Sequence, residues 1–236
     1  MAELDGRVAI VTGGGRDIGR AIARALAAAG AAVTVVARSA DQVQETAALI
    51  GADGGKAPAL TGDVSDRGAV EQIVAETADR LGPVDVLVNN AAIGGPIGPL
   101  WETDPDQFEY CLAVNLTGPY LCCRAVLPAM LARRRGCIIN VASPAAANPG
   151  EGYLTAYSAA KAGLVSLSTG LAKSLKPYGI HAFAISPGGV LTGMTRAVIA
   201  DPEQDKWLHY STVPPQRLSQ PEQAAALCVL RRPTLG

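Results

Sequence analysis

Compact runs of apolar residues alternate along this chain with longer stretches whose apolar positions recur every three or four residues. Val8–Val11, Ala32–Val36, Val84–Val88, Cys137–Val141 and His181–Ile185 have strand length, with 56–60 as a further candidate. Between them, 19–29, 40–50, 66–81, about 104–134 and 153–176 carry helical spacing, and 221–230 adds a last helix. Gly30 ends the first helix and Gly82-Pro83 the third. Pro119 and Pro128 predict kinks or boundaries in the long 104–134 stretch. Strands that are apolar throughout are buried on both faces, and repeated β-α-β predicts a parallel sheet covered on both sides by helices. The expected fold is therefore α/β, a doubly wound parallel sheet in three layers. In such sheets ligands gather at the carboxyl ends of the strands.

Composition narrows this picture. The 236 residues suit one domain, 1–236, with an ample core. A hydrophobic fraction of 49% with 17% charged residues excludes a disordered chain. A formal net charge of −1 gives no reason to expect nucleic acid or an anionic membrane as partner. The acidic Met1–Asp5 start lacks the basic and long apolar regions of a signal peptide, and no apolar run of about 18 residues occurs. Cys111, Cys122, Cys123, Cys137 and Cys228 are odd in number without C-x-x-C spacing, which fits core packing in a reducing cytoplasm. The histidines are His181 and His209, and no metal-ligand spacing is present, so no metal is expected.

The polar motifs follow directly from strands. After the first comes Thr12-Gly13-Gly14-Gly15-Arg16-Asp17-Ile18-Gly19, then a helix. Glycines let backbone N–H groups approach a pyrophosphate, and a helix N-terminus adds partial positive charge. A tight turn without ligand is the alternative. The spacing is not G-x-G-x-x-G but T-G-x-x-x-G-x-G with Asp17 at the middle glycine. Asp17 reads as a helix N-cap turned away from phosphate; the other reading is a carboxylate facing and repelling it. Further on, Tyr157 and Lys161 stand four positions apart in a helical Tyr-Ser-Ala-Ala-Lys and project from one face. An ammonium beside a phenol favours the phenolate, moving its titration from about pH 10 toward neutrality and making Tyr157 a general acid/base. Taken alone, the pair reads equally as part of an ordinary amphipathic helix.

The order of Thr12-Gly13 with Gly19, Asn89-Asn90-Ala91, Ser143, and Tyr157 with Lys161 resembles the short-chain dehydrogenases/reductases, from about residue 5 to about 230. The resemblance implies a Rossmann-type single domain and a nicotinamide dinucleotide, with Gly13, Gly15, Arg16, Asp17 and Ile18 in the phosphate loop. It implies that Ser143 bonds the substrate oxygen, Tyr157 exchanges the proton, and Lys161 holds the ribose and lowers the tyrosine pKa. Asn115 resembles the family's helix-bending asparagine, which holds a water on a proton path; an Asn in mid-helix is otherwise slightly unfavourable. Asp63-Val64 resembles the pair at the adenine, although Asp63 also suits a cap for the next helix, as do Ser65 and Asp66. Asn90 falls in the cofactor-contacting loop. Pro187, Gly188, Val190 and Thr192 fall in the segment along the nicotinamide and pyrophosphate. Ala37 stands where the family usually carries Asp, and Arg38 follows it. An Arg there accommodates a 2′-phosphate, so with Arg16 it favours NADP(H), with NAD(H) possible. The implied function is hydride transfer between nicotinamide and a small-molecule carbonyl or secondary alcohol, in a homodimer or homotetramer.

Other readings are weaker or narrower. A serine hydrolase needs G-x-S-x-G, but Val141 and Ala145 flank Ser143. A sugar-nucleotide epimerase needs a longer substrate-binding half. A non-catalytic cofactor-binding protein is the alternative, favoured by Asp17 and by the C-terminus. There 221–230 is followed by 231–236, so the family's last strand is expected to be absent. Residues 193–220 read as a substrate lid. Its Met194, Trp207, Leu208, Tyr210 and Val213, with Gly94, Gly95, Pro96 and Ile97, would line an apolar pocket or simply pack.

Overall fold

A computed structural model describes residues 3–149, 152–214 and 217–230. Among these residues six strands form one parallel sheet in the order β3-β2-β1-β4-β5-β6. The strands are β1 Val8–Thr12, β2 Ala32–Ala37, β3 Ala59–Thr61, β4 Val86–Asn89, β5 Gly136–Val141 and β6 Ile180–Ile185. Every residue of β1, β4 and β5 is buried, which is why these strands read as continuous apolar runs. Alternate side chains feed two cores. Ala9, Val11 and Ile139 pack on α1 (Asp17–Ala28), α2 (Ala40–Ala52) and α9 (Pro221–Leu230). Ile10 and Ile138 pack on α3 (Arg67–Leu81) and α5 (Gly118–Arg133). Between β5 and β6 runs α6, Thr155–Leu175.

The 104–134 stretch is not one helix kinked at its prolines. It is α4 (Pro105–Leu112), one π-helical turn (Ala113–Thr117) and then α5. The break centres on Asn115. Pro119 sits in the first turn of α5, where its missing N–H costs nothing, and Pro128 lies inside α5 without ending it. At the amino-terminal edge of the sheet Asp85, 2% exposed, accepts from the Val8 N–H at 3.1 Å and pairs with Arg133 and Arg135 at 2.7 and 2.9 Å.

The chain leaves β1 toward β2 and β3, then returns to build β4, β5 and β6 on the other side. This reversal opens a crevice at the carboxyl ends of β1 and β4, where open α/β sheets bind ligands. Two short helices, α7 (Gly193–Ala200) and α8 (Pro202–Leu208), follow β6. The base of this segment closes through a parallel bridge between Val190 and Ser219. Residues 231–236, on which the expected loss of a last strand falls, lie outside the described residues. No helix among the described residues is long and apolar enough to cross a membrane.

Candidate active site

A cleft of about 450 Å³ runs along the carboxyl ends of the strands. Gly13, Gly15, Arg16, Asp17 and Ile18 line one end, with Arg38, Asp63, Val64 and Asn90 beside them. Ser143, Tyr157 and Lys161 line the other end, with Pro187, Gly188, Val190 and Thr192 between. Asn115, alone of the catalytic and cofactor candidates, is not on the wall; it is fully buried behind it.

The glycine loop is held by its neighbours. Gly13 has φ +63°, and a Cβ there would lie 2.8 Å from the Ala91 Cα. The Thr12 hydroxyl donates to Val88 O at 3.3 Å and accepts from the N–H groups of Asn90 and Ala91. Asn90 Nδ2 donates to Thr12 O at 3.0 Å and Gly13 O at 3.2 Å, so this side chain clamps the loop. Arg20 and Thr46 were not legible as site residues. Arg20 donates to Gly15 O at 2.7 and 3.1 Å and pairs with Glu45, while the Thr46 hydroxyl also reaches Gly15 O. No local motif marks them, because their partner is a loop carbonyl.

Asp17 does not cap α1. The N-cap position falls on Arg16 and carries no side-chain hydrogen bond, so among the described residues no side chain caps the first N–H groups of α1. Asp17 itself takes the left-handed conformation, φ +47°, that a glycine would hold without strain. Its Oδ2 accepts from the Gly193 N–H at 2.9 Å, joining the loop to the start of α7. An uncapped helix N-terminus behind a glycine loop suits an anion.

Beside the loop, Arg38 Nη1 donates to the Tyr110 hydroxyl at 2.6 Å, which donates to Asp63 Oδ2 at 3.2 Å. Asp66, not Asp63, caps α3, accepting from the Gly68 N–H at 2.7 Å. Burial pushes the Asp63 carboxyl up. The hydrogen bonds from Ser65 and Tyr110 and the charge of Arg38 outweigh it and hold the group below the usual carboxylate range. Tyr110, on α4, carried no signal beyond being aromatic.

At the other end Lys161 is 2% exposed and donates to Val141 O at 2.8 Å. Its Nζ lies 5.5 Å from the centre of the Tyr157 ring. Burial pushes the ammonium down to about 8, against a smaller upward pull from Cys111. Burial also pushes the Tyr157 hydroxyl up to about 12, outweighing the hydrogen bond with Ser143 that lowers it. This corrects the expectation that Lys161 draws the phenol toward neutrality: here desolvation of the phenolate dominates. The Ser143 hydroxyl, just past β5, also accepts from the Ala145 N–H at 3.2 Å.

Asn115 Nδ2 donates to Ile93 O and Cys111 O at 2.9 and 3.0 Å. Its buried Oδ1 has no hydrogen-bond partner among the described residues. The π-helical turn is where the sequence placed a helix-bending asparagine. Thr192 caps α7 reciprocally with Thr195, so its hydroxyl is already engaged. Met194, Leu208, Tyr210, Gly94 and Ile97 line the cleft as expected. Trp207 instead packs on Tyr153, ring centres 4.5 Å apart, and Val213, Gly95 and Pro96 are off the wall.

The sequence profile of the short chain dehydrogenases matches residues 7–203, most of the chain. The chain belongs to the short chain dehydrogenase family. A 3-oxoacyl-[acyl-carrier-protein] reductase of Synechocystis is 38% identical over 95% of this chain and 88% of its own length. A short chain dehydrogenase of Pseudocercospora fijiensis is 41% identical over 80% of this chain, but the match spans 62% of that protein. Among solved structures, a variant of actinorhodin polyketide ketoreductase with NADPH superposes with a TM-score of 0.88 at 34% identity, covering 98% of this chain and 91% of that one. An NAD⁺-bound xylitol dehydrogenase superposes with the same TM-score at 28% identity, covering 99% and 93%. The family is one of oxidoreductases, and the sheet order and glycine loop described above are its Rossmann-type fold.

Proposed function

We propose that this single domain, 1–236, is an NADP(H)-favouring oxidoreductase that interconverts a small carbonyl compound and a secondary alcohol, with Tyr157 as the general acid/base. The observation that carries the reading is one cleft with an uncapped helix N-terminus at one end and Ser143, Tyr157 and buried Lys161 at the other. The first suits a diphosphate, and the second offers an ammonium with three N–H groups and one carbonyl acceptor among the described residues, suited to ribose hydroxyls.

When bound, the nicotinamide supplies or accepts the hydride. Ser143 and Tyr157 hold the reacting oxygen, and Tyr157 gives it a proton as the alcohol forms. Burial favours the neutral, proton-donating form of the Tyr157 phenol that the reduction step uses. Lys161 holds the ribose, and its charge steadies the phenolate left after transfer. Asn115, with its unpartnered Oδ1, would hold a water that returns the proton from solvent.

Arg38 at the end of β2 and Arg16 in the loop support NADP(H). The NAD⁺-bound relative keeps NAD(H) in reach. The segment 193–220 is read as the substrate lid, and family resemblance supports a cytoplasmic homodimer or homotetramer. Tyr157→Phe tests the function: with NADPH and a panel of ketones, turnover falls by about 10²–10⁴-fold while NADPH binding persists. Near-normal turnover in that variant removes Tyr157 from the chemistry. NADPH binding with no turnover of any ketone by the wild type favours a non-catalytic cofactor-binding protein.

A further inference from the structure

The Asp17–Gly193 contact joins residues 176 positions apart and has no place in the reading above. Asp17 occupies a position that suits glycine, at φ +47°, and its carboxylate is three-quarters shielded, with 23% of the side chain exposed. The acceptor is aimed at the first N–H of α7 rather than at its own helix. Residue 193 matches this arrangement: a Cβ there would lie 3.0 Å from Arg16 Nη1 and 3.2 Å from Asp17 Oδ2. Glycine thus leaves the ends of both side chains undisplaced. Arg16 Nε stands 3.7 Å from the same Oδ2 and offsets its charge. The lid is otherwise tied at its base by the Val190–Ser219 bridge and farther out by Trp207 on Tyr153. Neither tie fixes the first turn of α7 to the glycine loop.

We propose that Asp17 is a positioning residue that locks the N-terminus of α7 to the glycine loop, so that loop and lid form one preformed wall of the cleft. The carboxylate that would repel a diphosphate is spent on a backbone N–H of the lid. A glycine at position 17 leaves the lid start without this partner. The lock slows opening of α7, and with it the release of a dinucleotide held beneath; that last step rests on the function proposed above.

Limited trypsin digestion without added cofactor tests the lock itself. Arg196 in α7 and Lys206 in α8 are exposed, and cleavage there requires local opening. Asp17→Gly suits the backbone conformation, so the variant folds, which its melting temperature checks. Loss of a charge-assisted hydrogen bond predicts cleavage after Arg196 and Lys206 about tenfold faster in Asp17→Gly. Asp17→Asn keeps an acceptor and stays within about threefold of the wild type. Equal rates in Asp17→Gly and wild type overturn the proposal, as does an acceleration that Asp17→Asn does not reverse. Stopped-flow release of NADPH then reads the consequence: dissociation about tenfold faster in Asp17→Gly and close to wild type in Asp17→Asn. If no form, wild type included, binds NADPH, the cofactor reading falls while the digestion still judges the lock.

Discussion

Lys161 turns its ammonium to the Val141 carbonyl, 2.8 Å away, and not to the Tyr157 hydroxyl four residues before it. Burial then sets its titration, from 10.5 down to about 8. An unfolded chain therefore binds more protons than the folded one between pH 8 and 10.5, so stability rises with pH across that window. Below it both states are protonated and the slope vanishes. Tyr157 acts in the opposite sense between pH 10 and about 12, where the unfolded phenol ionises and the folded one does not. Urea denaturation from pH 8 to 10 should show the wild type gaining stability relative to Lys161→Met. A constant difference over that range would mean the ammonium is not held as a buried charge.

Two glycines separate packing from propensity. A Cβ at Gly19 would lie 2.0 Å from Gly13 O, a backbone atom with no flexible end to yield, and 2.5 Å from the Asn90 Nδ2 that clamps the loop. Gly19→Ala should cost about 3 kcal/mol or more and disorder the glycine loop. Gly170, exposed in α6, has nothing within 4 Å of its would-be Cβ. Gly170→Ala should stabilise by about 0.5–1 kcal/mol through helix propensity. Melting temperatures of the two variants, moving in opposite directions, check both statements.

Asp85 anchors the edge of the sheet remote from the cleft. Its carboxylate is buried against the partly exposed Arg133 and Arg135. Asp85→Asn leaves two guanidinium groups without their counter-charge and one acceptor oxygen in place of two for them and the Val8 N–H. Because both arginines reach solvent, the cost is discounted from that of a fully buried pair to about 2–3 kcal/mol. Urea denaturation should show this loss while NADPH affinity stays unchanged.

The strands were legible because burial on both faces leaves no room for polar positions, as in Ile138-Ile139. The motif order was legible too, since the glycine loop, Asn90 and Ser143 each follow a strand whose end lies at the cleft. What escaped depends on distant partners. A local rule makes Asp17 a cap, but its partner is Gly193. Proline rules break the long helix at Pro119 or Pro128, but the turn forms where Asn115 bonds Cys111 O and Ile93 O. A four-residue spacing brings Lys161 near Tyr157, yet it cannot say which oxygen the ammonium faces or how far burial raises the phenol.

The Arg38 end of the cleft carries the sharpest prediction about cofactor choice. Arg38 is exposed at the end of β2 and would be a mobile charge without a partner. The Tyr110 hydroxyl takes its Nη1 at 2.6 Å and passes the contact to Asp63 Oδ2 at 3.2 Å, which keeps the guanidinium 3.9 Å from that carboxylate. A guanidinium so held can meet a 2′-phosphate, whereas the phosphate-free cofactor gains nothing from it. Arg38→Ala should therefore raise KM for NADPH by about 10–100-fold and leave KM for NADH within about threefold, with kcat little changed. Tyr110→Phe keeps the ring, removes the bridging hydroxyl, and should reproduce about a tenth of that loss on NADPH alone. Steady-state kinetics with both cofactors separate the outcomes. A parallel change for NADPH and NADH in Arg38→Ala would mean that Arg38 steadies the pocket as a whole and does not select between the cofactors.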